Sequence, residues 1–229
     1  MNYAVKIFET FDVDYFCFSS SVLVDENCQR KSFSKGIDEY INAKRDGFYN
    51  LDFETCLNTN IHIWNKVFKL EHLNKYNIRF PENLLYEDIY FTWLYFLTSS
   101  KAYYDDSIYH YYRISSHSIM EKQINSKEFS NGFQHMENWY SLFKYLTKYP
   151  NLFIKNSDNL KILLGYYVMK AKEYSKPEDK YKIEKIKLDY LSELEKLYQQ
   201  KRKQCYFSIN ILGIKIKIRK NVKNLRGVS

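Results

Sequence analysis

Two adjacent carboxylates, Glu87 and Asp88, follow Tyr86 and open an apolar run that reaches Thr98. A carboxylate in a partly dry cleft suits general-base chemistry, because burial raises its pKa towards working pH. With two side by side, one can take a proton while its neighbour orients the reacting group or bonds the backbone. The pair also has a plain reading: acids in the first turn of a helix are favoured by its dipole, by ~0.3–1 kcal/mol. Other polar groups flank the pair, in the order Trp64-Asn65-Lys66, then Tyr111-Tyr112-Arg113, then Ser116-His117-Ser118. Asn65 and Lys66 can donate hydrogen bonds to hydroxyls or phosphate, or sit as solvated helix residues. Arg113 can grip an anion with two parallel hydrogen bonds, or pair with a nearby carboxylate. Ser116 and Ser118 belong to a loop that could close over a bound molecule. Trp64 is read either as core or as the wall of a pocket, and His110 and His117 as structural.

The elements that must position these residues follow from pattern. Residues 1–11 predict a short amphipathic helix, with Val5, Ile7, Phe8 and Phe11 near one face. Residues 15–24 are aromatic and β-branched and predict a strand. Asp25-Glu26-Asn27 signals a turn, 30–33 a returning strand, and 36–44 a helix ending near Gly47. Across 53–75, Ile61, Trp64, Val67 and Phe68 fall at helical spacing. Pro81 stops any helix there and biases Phe80 to an extended backbone. A helix is expected over 86–98. Two strands are expected at 102–104 and 107–113, joined by a turn at Asp105-Asp106. Helices are expected at 129–149, 159–174 and 179–203, the last strongly amphipathic through Leu188, Leu191, Leu194 and Leu197. Residues 207–219 alternate isoleucine with lysine or arginine about Asn210–Gly213 and predict a small hairpin.

The runs WNKVFKLEHLNKYNIRFPENLLYEDIYF and YYDDSIYHYYRISSHSI resemble the second half of bacterial family 2 glycosyltransferases with the GT-A fold. The likeness spans roughly residues 14–120 as an ordered series: the strand beginning Asp14-Tyr15-Phe16-Cys17-Phe18, W-N-K, I-R-F-P-E, Y-E-D and Y-Y-R followed by a serine. It implies an α/β, partial GT-A-like domain followed by a mainly helical C-terminal extension. The expected divisions are 1–120 for the acceptor-side part, 121–204 for the helices and 205–229 for a basic ribbon and tail. It also implies an inverting transfer from a nucleotide-sugar donor to a glycan or lipid-linked acceptor in surface polysaccharide or lipooligosaccharide synthesis. In that reading Asp88 matches the base and Glu87 is its neighbour. Trp64, Asn65, Lys66, Tyr86, Arg113 and Ser118 contact substrate. The family uses Mn²⁺ or Mg²⁺, held by an Asp-x-Asp element in a nucleotide-binding half. Only about a dozen residues precede the Tyr15 strand, so that half and its metal ligands are expected to be missing. Asp12-Val13-Asp14 spells the pattern, but the family residue matching Asp14 opens a later strand, so it reads as a chance match.

Composition narrows the class. The 229 residues are 45% hydrophobic and include 23 Tyr and 16 Phe, enough for a sizeable core, and only 6 Gly and 3 Pro, so long flexible linkers are not expected. Cys17, Cys28, Cys56 and Cys205 form no CxxC pair and no zinc spacing, so reduced cytoplasmic thiols are expected. No apolar run approaches the ~20 residues of a membrane-spanning helix. The net charge of +8 is concentrated between Lys180 and Arg226. A basic surface of that kind can serve nucleic acid, anionic lipid or phosphorylated substrate. No RNA-recognition, helix-turn-helix or zinc-finger motif is present, so nucleic acid is the weaker reading. Peripheral contact with an anionic membrane is the stronger one. A further alternative is a truncated or non-catalytic family member acting as a partner subunit.

Overall fold

A four-stranded mixed sheet carries the front half of the chain, in the order β2-β4-β1-β3. The computed structural model describes residues 2–24, 46–57, 59, 61–114, 129–211 and 214–219. The turn at Asp25, the strand at 30–33, the helix at 36–44 and the loop carrying Ser116, His117 and Ser118 lie outside the described residues. Helix α1 (Asn2–Thr10) leads into β1 (Tyr15–Val24). The rest of the front half is β2 (Gly47–Asn50), α2 (Phe53–Leu57), β3 (Lys66–Phe68), α3 (Leu70–Lys75), α4 (Glu87–Thr98) and β4 (Lys101–Ile114). β1 runs parallel to β4 and antiparallel to β3, and β2 is antiparallel to β4.

Two expectations need correction. The stretch 53–75 is not one helix: α2 ends at Leu57, and Lys66–Phe68 is a strand whose residues pair with Cys17, Phe16 and Tyr15. The periodicity of Ile61, Trp64, Val67 and Phe68 is coincidental, since strand pairing with β1 overrides local spacing. Likewise, Asp105-Asp106 does not separate two strands. A single strand runs from Lys101 to Ile114, and its register against β1 shifts between Phe18 and Ser19 and again by Ser20. The turn signal is absorbed as a β-bulge, which bends a strand without ending it. A smaller difference concerns α1, where Ala4 and Ile7 are buried while Val5 and Phe11 are exposed; Gly47 opens β2 with a φ of 129°.

The remaining elements are helices α5 (Phe129–Leu146) and α6 (Pro150–Tyr174), a 3-10 turn (Pro177–Asp179), α7 (Lys180–Cys205), and a hairpin of β5 (Tyr206–Ile211) and β6 (Ile214–Arg219). Pro150 suits the first turn of α6, where its missing N–H costs nothing. The expected 207–219 hairpin is present as an antiparallel pair.

Helix α4 is the hub. Ile89 and every residue from 91 to 97 are buried, as expected of a helix that is apolar on all sides. One hydrophobic cluster joins Tyr15 and Cys17 of β1, α4, and Met136, Trp139, Phe143, Leu160, Leu164 and Leu194 of the three long helices. Both buried indole N–H groups are satisfied: Trp139 donates to the Leu160 carbonyl at 2.8 Å, and Trp93 donates to the Tyr167 hydroxyl. Gly132 of α5 allows a close approach to α6. A Cβ there would lie 2.4 Å from the Ala171 carbonyl oxygen and 2.1 Å from Ser175 Oγ.

Candidate functional site

Asp88 sits in the first turn of α4, one turn ahead of Thr92 on the same face. Thr92 donates its hydroxyl to the Ile61 carbonyl at 2.6 Å, which ties the 61–65 segment to the helix. That tie brings the His62 ring to Asp88, with Nδ1 3.4 Å from Oδ2. The contact is wet. The two side chains are 30% and 24% exposed, so the carboxylate is neither sealed nor fully solvated. Trp64, half-buried, stacks on the His62 ring, with centroids 5.2 Å apart and planes 18° apart.

The 61–65 segment is held from within. Lys66 is 7% exposed and donates to the His62 carbonyl at 2.6 Å and to Asn65 Oδ1 at 2.9 Å. Burial lowers its pKa, and the neighbouring Cys17 and Asp88 oppose that shift. Asn65 is 1% exposed, and its amide donates to the Phe18 carbonyl at 3.2 Å and towards Cys17 Sγ at 3.6 Å. The Phe18 N–H returns a bond to the Asn65 carbonyl at 3.0 Å, extending the β1–β3 ladder by one step. The structure therefore places Asn65 and Lys66 as the brace under the Trp64 turn, with their polar atoms on protein partners. Trp64 does not share a helix face with Val67 and Phe68, because Val67 and Phe68 alternate along β3.

Tyr86 adopts a left-handed backbone, φ 58° and ψ 38°, immediately ahead of Glu87. Its ring turns towards α5 and stacks on His135, centroids 4.3 Å apart and planes 14° apart. Glu87 is exposed beside Asp88. Arg113 lies on β4, with its backbone opposite Leu23; its side chain and the whole of Ser118 are outside the described residues. The structure thus brings Asp88, Trp64, Asn65 and Lys66 to one loop–helix junction, with Tyr86 turned to its other side. His62 and His135 were missed by sequence reasoning. The only signal for His62 was the alternation Ile61-His62-Ile63, which marks an extended segment. His135 gave none.

His135 is 6% exposed, and neither ring nitrogen has a hydrogen-bond partner among the described residues. Burial and the nearby Lys170 push its pKa down to about 4, against a smaller opposing influence from Glu173 and Asp88. The imidazole is therefore neutral at ordinary pH.

Asp14 accepts the Ser100 N–H at 2.6 Å, the Lys101 N–H at 3.2 Å and the Ser100 hydroxyl at 3.2 Å, and meets His72 Nδ1 at 3.4 Å. Burial raises its pKa, but the His72 and backbone bonds outweigh that and hold it well below the usual carboxylate range. Asp12 is 91% exposed at Lys101. The Asp-x-Asp spelling therefore does not present two converging ligands. Asp46, Asp105 and Asp106 do converge, with one oxygen of each within 4.8 Å of the others. Here Asp46 accepts the Asp106 N–H at 2.8 Å and Asp105 the Ser107 N–H at 2.8 Å, so the trio braces the β4 bulge.

No family model matches the chain, and no curated protein matches it. Among solved structures, it is similar to Staphylococcus aureus TarS, residues 1–349, in complex with UDP-GlcNAc, at 12% identity and a TM-score of 0.39. The match covers 96% of this chain and 69% of that one. A likeness at that level assigns neither a site nor an activity. The class that the coordinates define is a mixed α/β protein with a four-stranded mixed sheet and a helical second half.

Proposed function

We propose that this chain is the acceptor side of a glycosyltransferase, with Asp88 as the base of an inverting transfer. The observation that carries the reading is the state of Asp88. It is partly buried at a helix start, open to solvent, and held by one oxygen against a histidine that is itself stacked on a tryptophan. The ordered series W-N-K, I-R-F-P-E, Y-E-D and Y-Y-R supports the same reading. In the reaction, the acceptor hydroxyl gives its proton to Asp88 as its oxygen bonds the anomeric carbon. The bond from that carbon to the donor diphosphate breaks on the opposite face, and the nucleoside diphosphate leaves with the electron pair. His62 fixes the carboxylate, Trp64 forms a wall beside it, and the Asn65–Lys66 brace holds both. Arg113 and Ser118 are proposed on the donor side. Bound donor is expected to stabilise the folded state by mass action. A panel of nucleotide sugars with Mn²⁺ or Mg²⁺ should therefore raise the melting temperature for at least one member. No shift with any of them would favour the reading as a partner subunit without a usable donor site.

The proposed acceptor is a glycan or a lipid-linked sugar at the inner face of a bacterial envelope, which makes the protein cytoplasmic and peripheral. No helix among the described residues is long and apolar enough to cross a membrane. Support for a surface contact comes from charge. The last 29 residues hold nine of the 35 Lys and Arg and none of the 27 Asp and Glu, so the first 200 residues are close to neutral. The β5–β6 register pairs Phe207 with Ile218, Ile209 with Ile216 and Ile211 with Ile214 at alternate positions, and Ser208 with Lys217 and Asn210 with Lys215 between them. Each cation near an anionic surface contributes ~1 kcal/mol. Liposomes containing phosphatidylserine should pellet the full chain and not a version lacking residues 201–229; equal pelleting removes the membrane contact.

A further inference from the structure

The turn that aims Asp88 is held by one face of α5. Three side chains spaced as neighbours on that helix act on two consecutive residues. Gln134 Oε1 accepts the Leu85 N–H at 3.0 Å, Asn138 Nδ2 donates to the Leu85 carbonyl at 2.7 Å, and His135 stacks on the Tyr86 ring. Both backbone groups of Leu85 are therefore bonded to a helix about fifty residues later in the chain. Tyr86, the next residue, has the left-handed backbone that a bulky side chain rarely adopts unless its surroundings enforce it. Its carbonyl then accepts the Ile89 N–H at 2.9 Å, closing the first turn of α4 around Glu87 and Asp88.

The clamp is anchored in its turn. Asn138 is fully buried and also donates to the Gln134 carbonyl at 2.9 Å, and the Gln134 amide donates to Glu137 at 2.9 Å. On its far side His135 meets Tyr174, at the end of α6, at 5.1 Å. A left-handed residue at the first turn sets where the helix begins, and so the direction in which its second residue projects. Loss of the clamp leaves Tyr86 free to relax to a right-handed or extended backbone. Asp88 would then swing relative to His62 while the buried body of α4 stays in place.

We propose that Gln134, His135 and Asn138 are positioning residues for Asp88, so that the helical half of the chain is part of the acceptor site. The inference rests on the reading of Asp88 as the base. The test combines hydrogen exchange with kinetics on Asn138→Leu with Gln134→Met, on His135→Ala, and on His135→Phe, which keeps the stack. In the double variant and in His135→Ala, the amides of Leu85 and Ile89 should exchange at least about tenfold faster, while those of residues 95–98 keep their protection. kcat should fall by a similar factor with the donor KM unchanged, and His135→Phe should stay near the wild-type protein on both measures. Unaltered exchange at Leu85 and Ile89 overturns the clamp whether or not the protein is active. Faster exchange with unaltered kcat overturns the positioning role. Faster exchange in a protein whose transfer ignores Asp88 leaves the clamp standing and removes the proposed function instead.

Discussion

Acidification from pH 6.5 towards 4 should cost the fold on the order of 3 kcal/mol, at about 1.36 kcal/mol per pKa unit, and His135→Phe should recover most of that loss. The ordinary value for the imidazole is 6.5, and in the folded protein it falls to about 4. Between those values the unfolded chain binds the proton and the folded protein does not, so falling pH favours unfolding. Above 6.5 both states are neutral and the contribution is absent; below 4 it is complete. The cause is first burial among Tyr86, Tyr167 and Tyr174, then the charge of Lys170. Asp14 acts in a different window. Its depressed pKa stabilises the fold above its ordinary value of 3.8, and that contribution is lost only as pH falls below it. The two groups are separable by urea denaturation at pH 7, 5.5 and 4.5. Phenylalanine keeps the stack and removes two nitrogens that have no partner among the described residues, so the variant should lose less stability over this range than the wild-type protein. Parallel declines in the two proteins would mean that His135 is not the group being titrated.

In a version that carries the donor half as well, Asp88→Asn is expected to lower transfer by about 10²–10⁴-fold, the usual scale for loss of a general base. Asparagine has the same shape and can still meet the His62 ring, but it cannot take a proton from an acceptor hydroxyl. Asparagine fills the same partly buried space, so the melting temperature should stay close to that of the wild-type protein. A large drop in both activity and melting temperature would instead make Asp88 a structural residue of the first turn.

The elements that could be read from sequence were those whose residues decide locally. The aromatic and β-branched run at 15–24 is a strand with those limits, and the apolar run after Glu87-Asp88 is the buried helix α4. The hairpin of alternating isoleucine and lysine is also local, and is present. The two main failures are cases where a distant partner wins. Lys66–Phe68 is a strand because β1 lies beside it, and β4 continues past Asp105-Asp106 because β1 supports the bulge. Among the site residues, the Glu87-Asp88 pair could be singled out because acids at a helix start are visible as such. The brace role of Asn65 could not, since it depends on Phe18 nearly fifty positions earlier. His62 and the α5 clamp were invisible for the same reason: their partners are 26 to 53 residues away.

The most direct measurement is the initial rate of sugar transfer by the intact protein from saturating donor, compared between Asp88→Asn and Glu87→Gln. Glu87 is exposed, and it is Asp88 that meets the His62 ring, so the Glu87 variant should keep most of the wild-type rate while the Asp88 variant loses at least about a hundredfold. Equal rates in the two variants, or a loss confined to Glu87→Gln, would contradict it.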